Sequence, residues 1–365
     1  MNKIIKGEFE SNLNNIFLKE SPNSILIVTG KKSFKDSDAE IFFNKISSKY
    51  NITLYSKTDK NPSFNEILRL LKKHEHSNFD LIVAYGGGSV IDFSKLVALF
   101  KNNTSLFKNN FQNSADLINT IPIIAIPTTA GSGAESTKFA VIYREKTKFS
   151  ILNKRILPKY AILDPKTTFS LSKYKIACST IDAVCQSIES LWAKNKNRES
   201  ELYALKSLTL IYTNISRIYE NNENIRSLLL EGSNLSGKAI NISRTTAPHA
   251  MSYYLTTFHN IPHGEAVAIN IEPFIKMNFD SIREENKVKL LEIFKVTTKN
   301  EFITSIKLLK LKLGLKLDLS SIRNLNINTY SSFINIERLK NNPVELTTND
   351  ILNLIKKSSL KRKLN

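Results

Sequence analysis

Three of the chain's five histidines fall within residues 244–266, namely His249, His259 and His263. Pro262 introduces the third of them from a non-helical backbone, because the residue before a proline is kept out of the α region. We therefore expect one histidine on a helix and another at a helix start, both able to reach a common point. Neutral imidazole is the commonest metal ligand in proteins, and two of them need one more anionic group to hold a divalent ion. The alternative is a set of hydrogen-bonded core histidines.

A candidate for that anionic group lies on a helix that the apolar pattern predicts over residues 177–194. Asp182 and Gln186 are four residues apart, so their side chains lie on one helix face and can point at the same ion. In the alternative interpretation, Asp182 is a helix-start cap or a surface charge.

A glycine-rich turn directly follows a predicted buried strand at residues 80–85. The turn consists of Gly86, Gly87, Gly88 and Ser89. Glycines let the backbone approach a ligand closely, while the N–H groups and dipole of a helix start favour a phosphate. The turn therefore predicts a pyrophosphate site near Asp92 of the next helix, with a simple tight turn as the alternative.

A second loop of small residues, 127–135, leaves another predicted buried strand at residues 121–126. Its hydroxyl groups belong to Thr128, Thr129 and Ser132. Such a loop supplies hydrogen-bond donors without bulk, so it can wrap a ribose or a nicotinamide.

Two kinds of hydrophobic pattern divide the chain. Residues 1–172 alternate short apolar strands with amphipathic helices, which is typical of a doubly wound parallel sheet that binds a dinucleotide. Residues 173–365 show one helical stripe after another, with a poorly periodic, Asn-rich stretch over 319–345 that we expect to be irregular. The predicted fold is an α/β N-terminal domain followed by an all-α helical domain.

The formal net charge of +19 invites a nucleic-acid interpretation. The lysines are spread over the whole chain, however, and no basic block with aromatic residues or zinc-finger spacing is present. We interpret the charge as a Lys- and Asn-rich surface that can steer an anionic substrate. No apolar run is long enough to cross a bilayer, and Glu8 and Glu10 stand where a signal peptide would have its apolar centre. We expect a cytoplasmic protein that binds neither nucleic acid nor membrane.

The two cysteines, Cys178 and Cys185, are seven residues apart on a predicted helix. That spacing separates their α-carbons by roughly 10 Å, which is too far for a disulfide. We expect both to be reduced and buried.

These segments, taken together, resemble the iron-containing alcohol dehydrogenase family, which shares its fold with dehydroquinate synthase, over nearly the full chain. The matching segments are GGGSVID at 86–92, PTTAGSGAE at 127–135, Asp-Ala at 182–183, His249, and PHG at 262–264. The resemblance implies one dinucleotide, one divalent metal that is iron or zinc, and reversible hydride transfer between the nicotinamide and a small alcohol or aldehyde. It also implies a homodimer or larger homo-oligomer.

The resemblance places the family's metal ligands on Asp182, Gln186, His249 and His263. Most metal-dependent members have a histidine where this chain has Gln186, and an amide oxygen is a weaker donor than imidazole. Three outcomes stay open: Gln186 is a fourth ligand, Gln186 lies next to three firm ligands without binding the metal itself, or the metal has been lost. Many members also have a histidine where Tyr253 stands, so we expect the catalytic proton relay to pass through Tyr253, His259 or water.

The resemblance also implies a set of nucleotide contacts. They are Gly86, Gly87, Gly88, Ser89, Asp92, Thr128, Thr129, Ser132, Thr137 and Lys148. NAD-specific members usually place an Asp after the strand that we predict at 24–29, where it accepts from the adenosine ribose. Here that place is Gly30, followed by Lys31, Lys32 and Ser33. An uncharged position flanked by donors suits a phosphate, so we expect NADP(H) rather than NAD(H).

Residues 237–253 resemble the phosphonoacetaldehyde reductase branch of the family, which makes 2-hydroxyethylphosphonate. A dianionic substrate head needs fixed positive donors, and Lys238 and Arg244 precede His249 by eleven and five residues. A solvated helix face is the alternative for both cations. The rival activities are a dehydrogenase for small neutral alcohols, a 3-deoxyoctulosonate-type sugar-acid oxidase and a lyase of the dehydroquinate synthase type. A non-catalytic basic binding protein is the alternative from another class.

Overall fold

The computed structural model describes residues 2–35, 37–315 and 318–360. They divide into two compact units, one of residues up to 171 together with 221–230, and one of residues 172–220 together with those from 231 onward. The predicted boundary after residue 172 stays a prediction. The predicted fold class, an α/β half followed by a helical half, is confirmed.

The first unit is built around a parallel sheet. Its strands within the described residues are β1 (Lys3–Lys6), β2 (Ser24–Gly30), β3 (Asn51–Lys57), β4 (Leu81–Gly86) and β5 (Ile123–Pro127), followed by the hairpin β6 (Phe139–Arg144) and β7 (Thr147–Leu152), and by β8 (Tyr160–Leu163). The sheet order is β1-β8-β5-β4-β2-β3, with parallel neighbours throughout, while β6 and β7 pair antiparallel outside it.

Helices cover both faces of this sheet. They are α1 (Phe9–Glu20), α2 (Lys31–Phe34), α3 (Asp38–Ile46), α4 (Phe64–Lys73), α5 (Gly88–Phe100) and α6 (Thr104–Asn110). Along β2, Leu26 and Val28 point into one apolar core while Ile25 and Ile27 point into the other. Burial on both faces explains the uninterrupted apolar run of this strand.

The second unit is helical. Its helices are α7 (Lys173–Trp192), α8 (Arg198–Thr213), α9 (Glu223–Ser243, whose first residues belong to the first unit), α10 (Ala247–Phe258), α11 (His263–Asn278), α12 (Glu284–Phe294), α13 (Lys299–Lys312), α14 (Ile327–Ser332), α15 (Ile336–Lys340) and α16 (Thr348–Leu360). Most of α7 is buried, with polar side chains among its covered residues. Buried polar groups need partners, so this helix is where a site is expected.

The prediction that residues 319–345 are irregular is wrong in part, because α14 and α15 lie within them. These short helices have side-chain caps, Asn326 and Asn335, which accept hydrogen bonds from backbone N–H groups three residues on. Asn starts helices well, and a helix of five or six residues is too short to show an apolar period. The cysteines are free and buried, as expected. None of the helices in the described ranges has the length and apolarity needed to span a membrane.

Candidate metal centre

The three predicted ligand residues lie together in the second unit. Asp182 is on α7, His249 on the first turn of α10, and His263 is the first residue of α11. Oδ1 of Asp182 lies 3.5 Å from Nε2 of His249 and 3.9 Å from Nε2 of His263. One ligand atom from each residue falls within 4.8 Å of the others. An acidic and two imidazole side chains therefore converge on one point.

His249 is fixed by a carboxylate that the sequence reasoning missed. Nδ1 of His249 is hydrogen-bonded to Oε1 of Glu189, two turns after Asp182 on α7. Oε2 of Glu189 accepts from the backbone N–H of Thr246 at 2.7 Å and from its hydroxyl at 2.8 Å. The Thr246 hydroxyl in turn accepts from the indole N–H of Trp192 at 2.9 Å. Because Nδ1 donates to Glu189, Nε2 is the ring nitrogen turned towards Asp182, and it offers a lone pair once an ion displaces its proton.

The charges around His249 favour a cation. Burial alone would lower the pKa of His249, but Glu189 and Asp182 outweigh it and raise this pKa to about 9. His249 Nε2 is buried, and the described residues offer it no hydrogen-bond partner of good geometry. A divalent Fe or Zn ion binds to one carboxylate and two imidazole nitrogens. The other ring nitrogen of such an imidazole is often held by a further carboxylate, as Glu189 holds His249 here. The residues present fit such an ion.

Gly264 lets α11 start against α7. A Cβ at this position would overlap the carbonyl oxygen of Cys178 and would lie 2.9 Å from Cβ of Asp182. The backbone of α11 therefore touches the backbone of α7 beside the acidic ligand, which brings His263 within reach of Asp182. Gly264 has a helical backbone, which any residue can adopt, so its lack of a side chain is needed for the close approach of the two helices and not for an unusual φ.

Gln186 lies one turn after Asp182 and is buried. Its Oε1 accepts a hydrogen bond of 2.8 Å from the hydroxyl of Ser236 on α9. The amide oxygen that would bind an ion is thus occupied by a protein donor. This arrangement favours the alternative with three ligands, in which Gln186 lies next to them and does not bind the metal itself.

The two cations predicted to bind the substrate, Arg244 and Lys238, contact different helices. Arg244, between α9 and α10, points Nη2 at Oε1 of Glu337 on α15, 3.4 Å away. The ammonium of Lys238 lies instead over the ring of Tyr203 on α8, 5.7 Å from its centroid. One ion-pair partner of Arg244 thus lies on α15, whereas the ring under the Lys238 ammonium lies on α8.

Tyr253 and His259, both considered for the proton relay, have different surroundings. Tyr253 is buried one turn after His249 on α10, and burial raises its pKa while a hydrogen bond from Arg338 opposes the rise. His259 ends α10, where its ring lies 5.3 Å from that of Tyr254. His259 is therefore packed with an aromatic side chain rather than with the three ligand residues.

The glycine turn lies in the first unit, between β4 and α5, and packs against the loop 127–133. A Cβ on Gly88 would overlap the Ser132 hydroxyl, and one on Gly87 would lie 3.2 Å from Oγ1 of Thr129. A Cβ on Gly86 would lie 2.6 Å from the Val90 side chain. Gly87 and Gly88 thus let the two loops pack closely, which places a helix start beside hydroxyl groups, while Gly86 makes room for Val90 of α5.

The remaining predicted nucleotide contacts around α5 differ in exposure. Ser89 is half-buried and donates to the carbonyl of Lys60, 2.9 Å away. Thr128 is buried, and its N–H donates to the Gly86 carbonyl at 3.0 Å. Thr129 and Ser132 are half-buried. These side chains line the turn itself.

Asp92 and Thr137 are engaged by the protein. Asp92 accepts from the N–H of Val141 at 3.0 Å and lies 3.7 Å from the ammonium of Lys95. The Lys95 ammonium donates to the Thr137 hydroxyl at 2.8 Å. Thr137 is 1% exposed, so these two residues tie α5 to the β6–β7 hairpin, and a direct contact of Thr137 with a nucleotide is disfavoured.

The residues predicted to select the cofactor lie at the end of β2. Gly30 is half-buried and begins α2, of which Lys31 is exposed. The side chain of Ser33 lies outside the described part of the chain. Lys148, on β7, is half-buried with its ammonium 5.9 Å from the Tyr143 ring centroid.

Comparison with known proteins agrees with this geometry. Residues 2–165 match the family description "Iron-containing alcohol dehydrogenase", and residues 176–359 match "Fe-containing alcohol dehydrogenase family, C-terminal". Alcohol dehydrogenase 4 of Saccharomyces cerevisiae is 26% identical over 319 residues, which cover 84% of this chain and 83% of that protein. Phosphonoacetaldehyde reductase of Streptomyces viridochromogenes is 28% identical over 210 residues, 54% of this chain and 53% of that one.

Solved structures give the same result. The crystal structure of sulfoacetaldehyde reductase from Bifidobacterium kashiwanohense in complex with NAD+ superposes with a TM-score of 0.86 at 25% identity, covering 98% of this chain and 97% of that chain. An oxidoreductase family that acts on CH–OH groups with NAD(P) and a divalent metal accounts for both halves of the structure. The chain therefore belongs to the iron-containing alcohol dehydrogenase family.

Proposed function

We propose that this chain is a metal-dependent aldehyde reductase whose metal is held by Asp182, His249 and His263. The observation that carries the proposal is the convergence of one carboxylate and two imidazoles within 4.8 Å. When bound, a divalent ion supplies a Lewis acid that polarises the aldehyde oxygen. We propose iron or zinc as the ion, since both accept this donor set.

The chain's own residues would position that ion. Glu189 holds the His249 ring with Nε2 facing Asp182, and the hydrogen bonds from Thr246 keep the Glu189 carboxylate in place. The bond from Ser236 to Gln186 supports a site with three protein ligands and one open position. An open position is what a catalytic metal needs to bind substrate.

The nucleotide would be bound through the turn at 86–89, where Gly86, Gly87, Gly88 and Ser89 present a helix start to its pyrophosphate. Thr128, Thr129, Ser132 and Lys148 would contact the ribose and nicotinamide, and Asp92 and Thr137 would hold the hairpin that carries Lys148. The uncharged Gly30 beside the exposed Lys31 supports NADP(H) over NAD(H). Equal or better kcat/KM with NADH would contradict this preference.

An anionic aldehyde is the substrate class we propose, with phosphonoacetaldehyde, reduced to 2-hydroxyethylphosphonate, as the best candidate. Two similar proteins bear names of short aldehydes with an acidic head, phosphonoacetaldehyde and sulfoacetaldehyde. Arg244 supplies a largely buried cation five residues before His249. The alternative is a dehydrogenase for small neutral primary alcohols, which the likeness to the yeast alcohol dehydrogenase favours.

Tyr253 is our candidate for the proton donor to the nascent alkoxide. It lies one turn from His249 on α10, and its hydroxyl is oriented by Arg338. A phenol with a raised pKa keeps its proton at neutral pH, so it can donate rather than accept. Replacement by Phe should lower kcat more than it raises KM, because the hydroxyl would act in the transition state.

Elemental analysis of the purified protein, followed by assays of phosphonoacetaldehyde, sulfoacetaldehyde and propanal with NADPH and NADH, tests the function. We expect about one equivalent of iron or zinc per chain and oxidation of the reduced nucleotide by the aldehydes. Conversion of a substrate without nucleotide oxidation would indicate a lyase instead. We also propose a cytoplasmic homodimer or larger homo-oligomer, which sedimentation would check.

A further inference from the structure

A second arginine is buried beside Arg244, in the stretch where the sequence showed no periodicity. Arg338 lies on α15, is 4% exposed, and hydrogen-bonds the hydroxyl of Tyr253. The Arg244 side chain is 12% exposed. Burial, and after it the charge of Arg338, lower the pKa of Arg244 to about 10. Both guanidinium groups are therefore largely buried, and Glu337, the ion-pair partner of Arg244, directly precedes Arg338 on α15.

The carboxylate that pairs with Arg244 is largely exposed. Glu337 lies 3.4 Å from Nη2 of Arg244, and its side chain is 60% exposed. Exposed ion pairs contribute little because water screens them, whereas adjacent buried like charges are costly. A pair of this kind is expected where a ligand brings the compensating negative charge.

The backbone of Arg244 ends α9 in a left-handed conformation. Its φ is +64°, the left-handed conformation, and its N–H donates to the carbonyl of Ile240 at the end of α9. Glycine is the usual residue at such a position because a Cβ is disfavoured there. The left-handed conformation ends α9 at the residue that carries the guanidinium, as it ends α1 at Ser21 and α12 at Lys295.

The end of α15 fixes the position of the loop that carries Arg244 relative to the helix that carries Arg338. The amide nitrogen of Asn341 donates to the carbonyls of Ser243 at 2.8 Å and of Thr245 at 3.0 Å, the residues on either side of Arg244. The loop that carries one guanidinium is thus clamped by the segment that carries the other. Preorganised donors bind an anion without the cost of ordering them.

This arginine pair is connected to the metal centre through α10. Tyr253, which Arg338 contacts, follows His249 by four residues and lies on the same face of the helix, about 6 Å further along its axis. A short aldehyde with its carbonyl between the ion and the Tyr253 hydroxyl would extend its acidic head past Tyr253 towards Arg338. The arginines and the ligand histidine would then hold opposite ends of one small molecule.

We propose that Arg244 and Arg338 form an oxyanion subsite that binds the phosphonate head of the substrate, and that Arg338 is a specificity-determining residue. The inference rests on the proposed aldehyde reductase function and extends it. Two guanidinium groups match a head with two negative charges and several oxygens, since each can make a forked contact. A phosphonate satisfies both better than a carboxylate does.

The test combines binding and kinetics. Methylphosphonate and acetate are titrated by calorimetry into the purified holoenzyme, and reduction of phosphonoacetaldehyde and propanal is measured in parallel. The variants are Arg338→Met, Arg338→Lys and Arg217→Met. Arg217 is an exposed partner of Glu220 on the same unit, so its variant removes one positive charge without touching the arginine pair.

We expect the wild type to bind methylphosphonate more tightly than acetate. Arg338→Met should weaken methylphosphonate binding and raise the KM for phosphonoacetaldehyde by roughly 10- to 100-fold, because a charge-assisted contact is lost. The KM for propanal, which has no acidic head, should change far less, while kcat should fall for both aldehydes because Arg338 also orients Tyr253. Arg338→Lys should give an intermediate effect, since it keeps the charge and loses the fork, and it carries the test if the Met variant does not fold.

Two results would overturn the subsite: unchanged methylphosphonate binding in both Arg338 variants, or equal changes in KM for the two aldehydes. The same is true if Arg217→Met weakens binding as much as Arg338→Met, because a long-range charge effect would then suffice. A protein that binds methylphosphonate through Arg338 but reduces no aldehyde contradicts the proposed function and leaves the subsite standing. A protein that reduces propanal but binds no methylphosphonate contradicts the subsite and leaves the proposed function standing.

Discussion

Replacing Glu189 by Gln should weaken metal binding although Glu189 does not reach the metal position. The carboxylate is 0% exposed and holds Nδ1 of His249. A Gln side chain has nearly the same shape, and its oxygen can still accept from Thr246. Its amide group then faces Nδ1 as a donor, which turns the His249 ring to the tautomer whose Nε2 carries a proton. Nε2 can no longer offer a lone pair.

The magnitude follows from the bonds involved. Loss of a partner that orients a ligand histidine costs roughly 10- to 100-fold in metal affinity, or about 1.4 to 2.7 kcal/mol. Removal of one buried negative charge acts in the same direction, because Glu189 helps to favour a cation at His249. We expect the larger end of this range.

The measurement is a competition titration, with Zn²⁺ partitioned between the protein and a chelator of known affinity. Glu201→Gln is the matched control, because Glu201 is also a buried carboxylate of the second unit but is paired with Arg283, 3.3 Å away. This control should change stability without changing zinc affinity. Wild-type affinity in Glu189→Gln would refute the role of Glu189, and an equal loss in Glu201→Gln would show that the effect is not local.

Three further predictions follow. Gly264→Ala should abolish metal binding, because its Cβ would overlap the backbone of Cys178, whereas Gly232→Ala meets only a side chain and should leave the metal content unchanged. Burial lowers the pKa of Lys95 from 10.5 to about 8, so between these pH values the unfolded chain binds more protons than the folded one, and Lys95 makes the free energy of unfolding rise with pH. In urea titrations, the free energy of unfolding of the wild type should therefore increase relative to that of Lys95→Met over this pH range. The same pH dependence in both proteins would contradict the prediction. At position 244, Gly should be more stable than Ala by about 1 kcal/mol, because only Gly adopts a φ of +64° without strain; a calorimetric Tm that favours Ala would be inconsistent with a left-handed backbone.

The sequence predicted those features that depend on local pattern. The alternation of strands and helices that it predicted over residues 1–172 is visible in elements such as α4, which Ser63 caps and whose apolar residues face the core. The strand at 24–29 was recognisable because burial on both faces gives an unbroken apolar run. The grouping of Asp182, His249 and His263 was predicted from motif spacing together with a family resemblance.

What the sequence could not show depends on contacts between distant residues. Glu189 continues the face of α7 that carries Asp182 and Gln186, so the stripe was visible, but nothing local shows that an acid there meets His249 sixty residues later. Arg338 lay in a stretch without periodicity because α15 has only five residues. The edge strand β1 was missed because its four residues have only a partly buried pattern.

The hydrogen bond from Trp192 to Thr246 makes the centre observable by fluorescence. Trp192 is the chain's one tryptophan and is 0% exposed. Thr246 and Glu189 connect its indole through hydrogen bonds to the imidazole of His249. Tryptophan-selective excitation, which avoids the twelve tyrosines, therefore addresses a single fluorophore next to the ion-binding side chains, so that loading and removal of the ion can be followed in real time without a label.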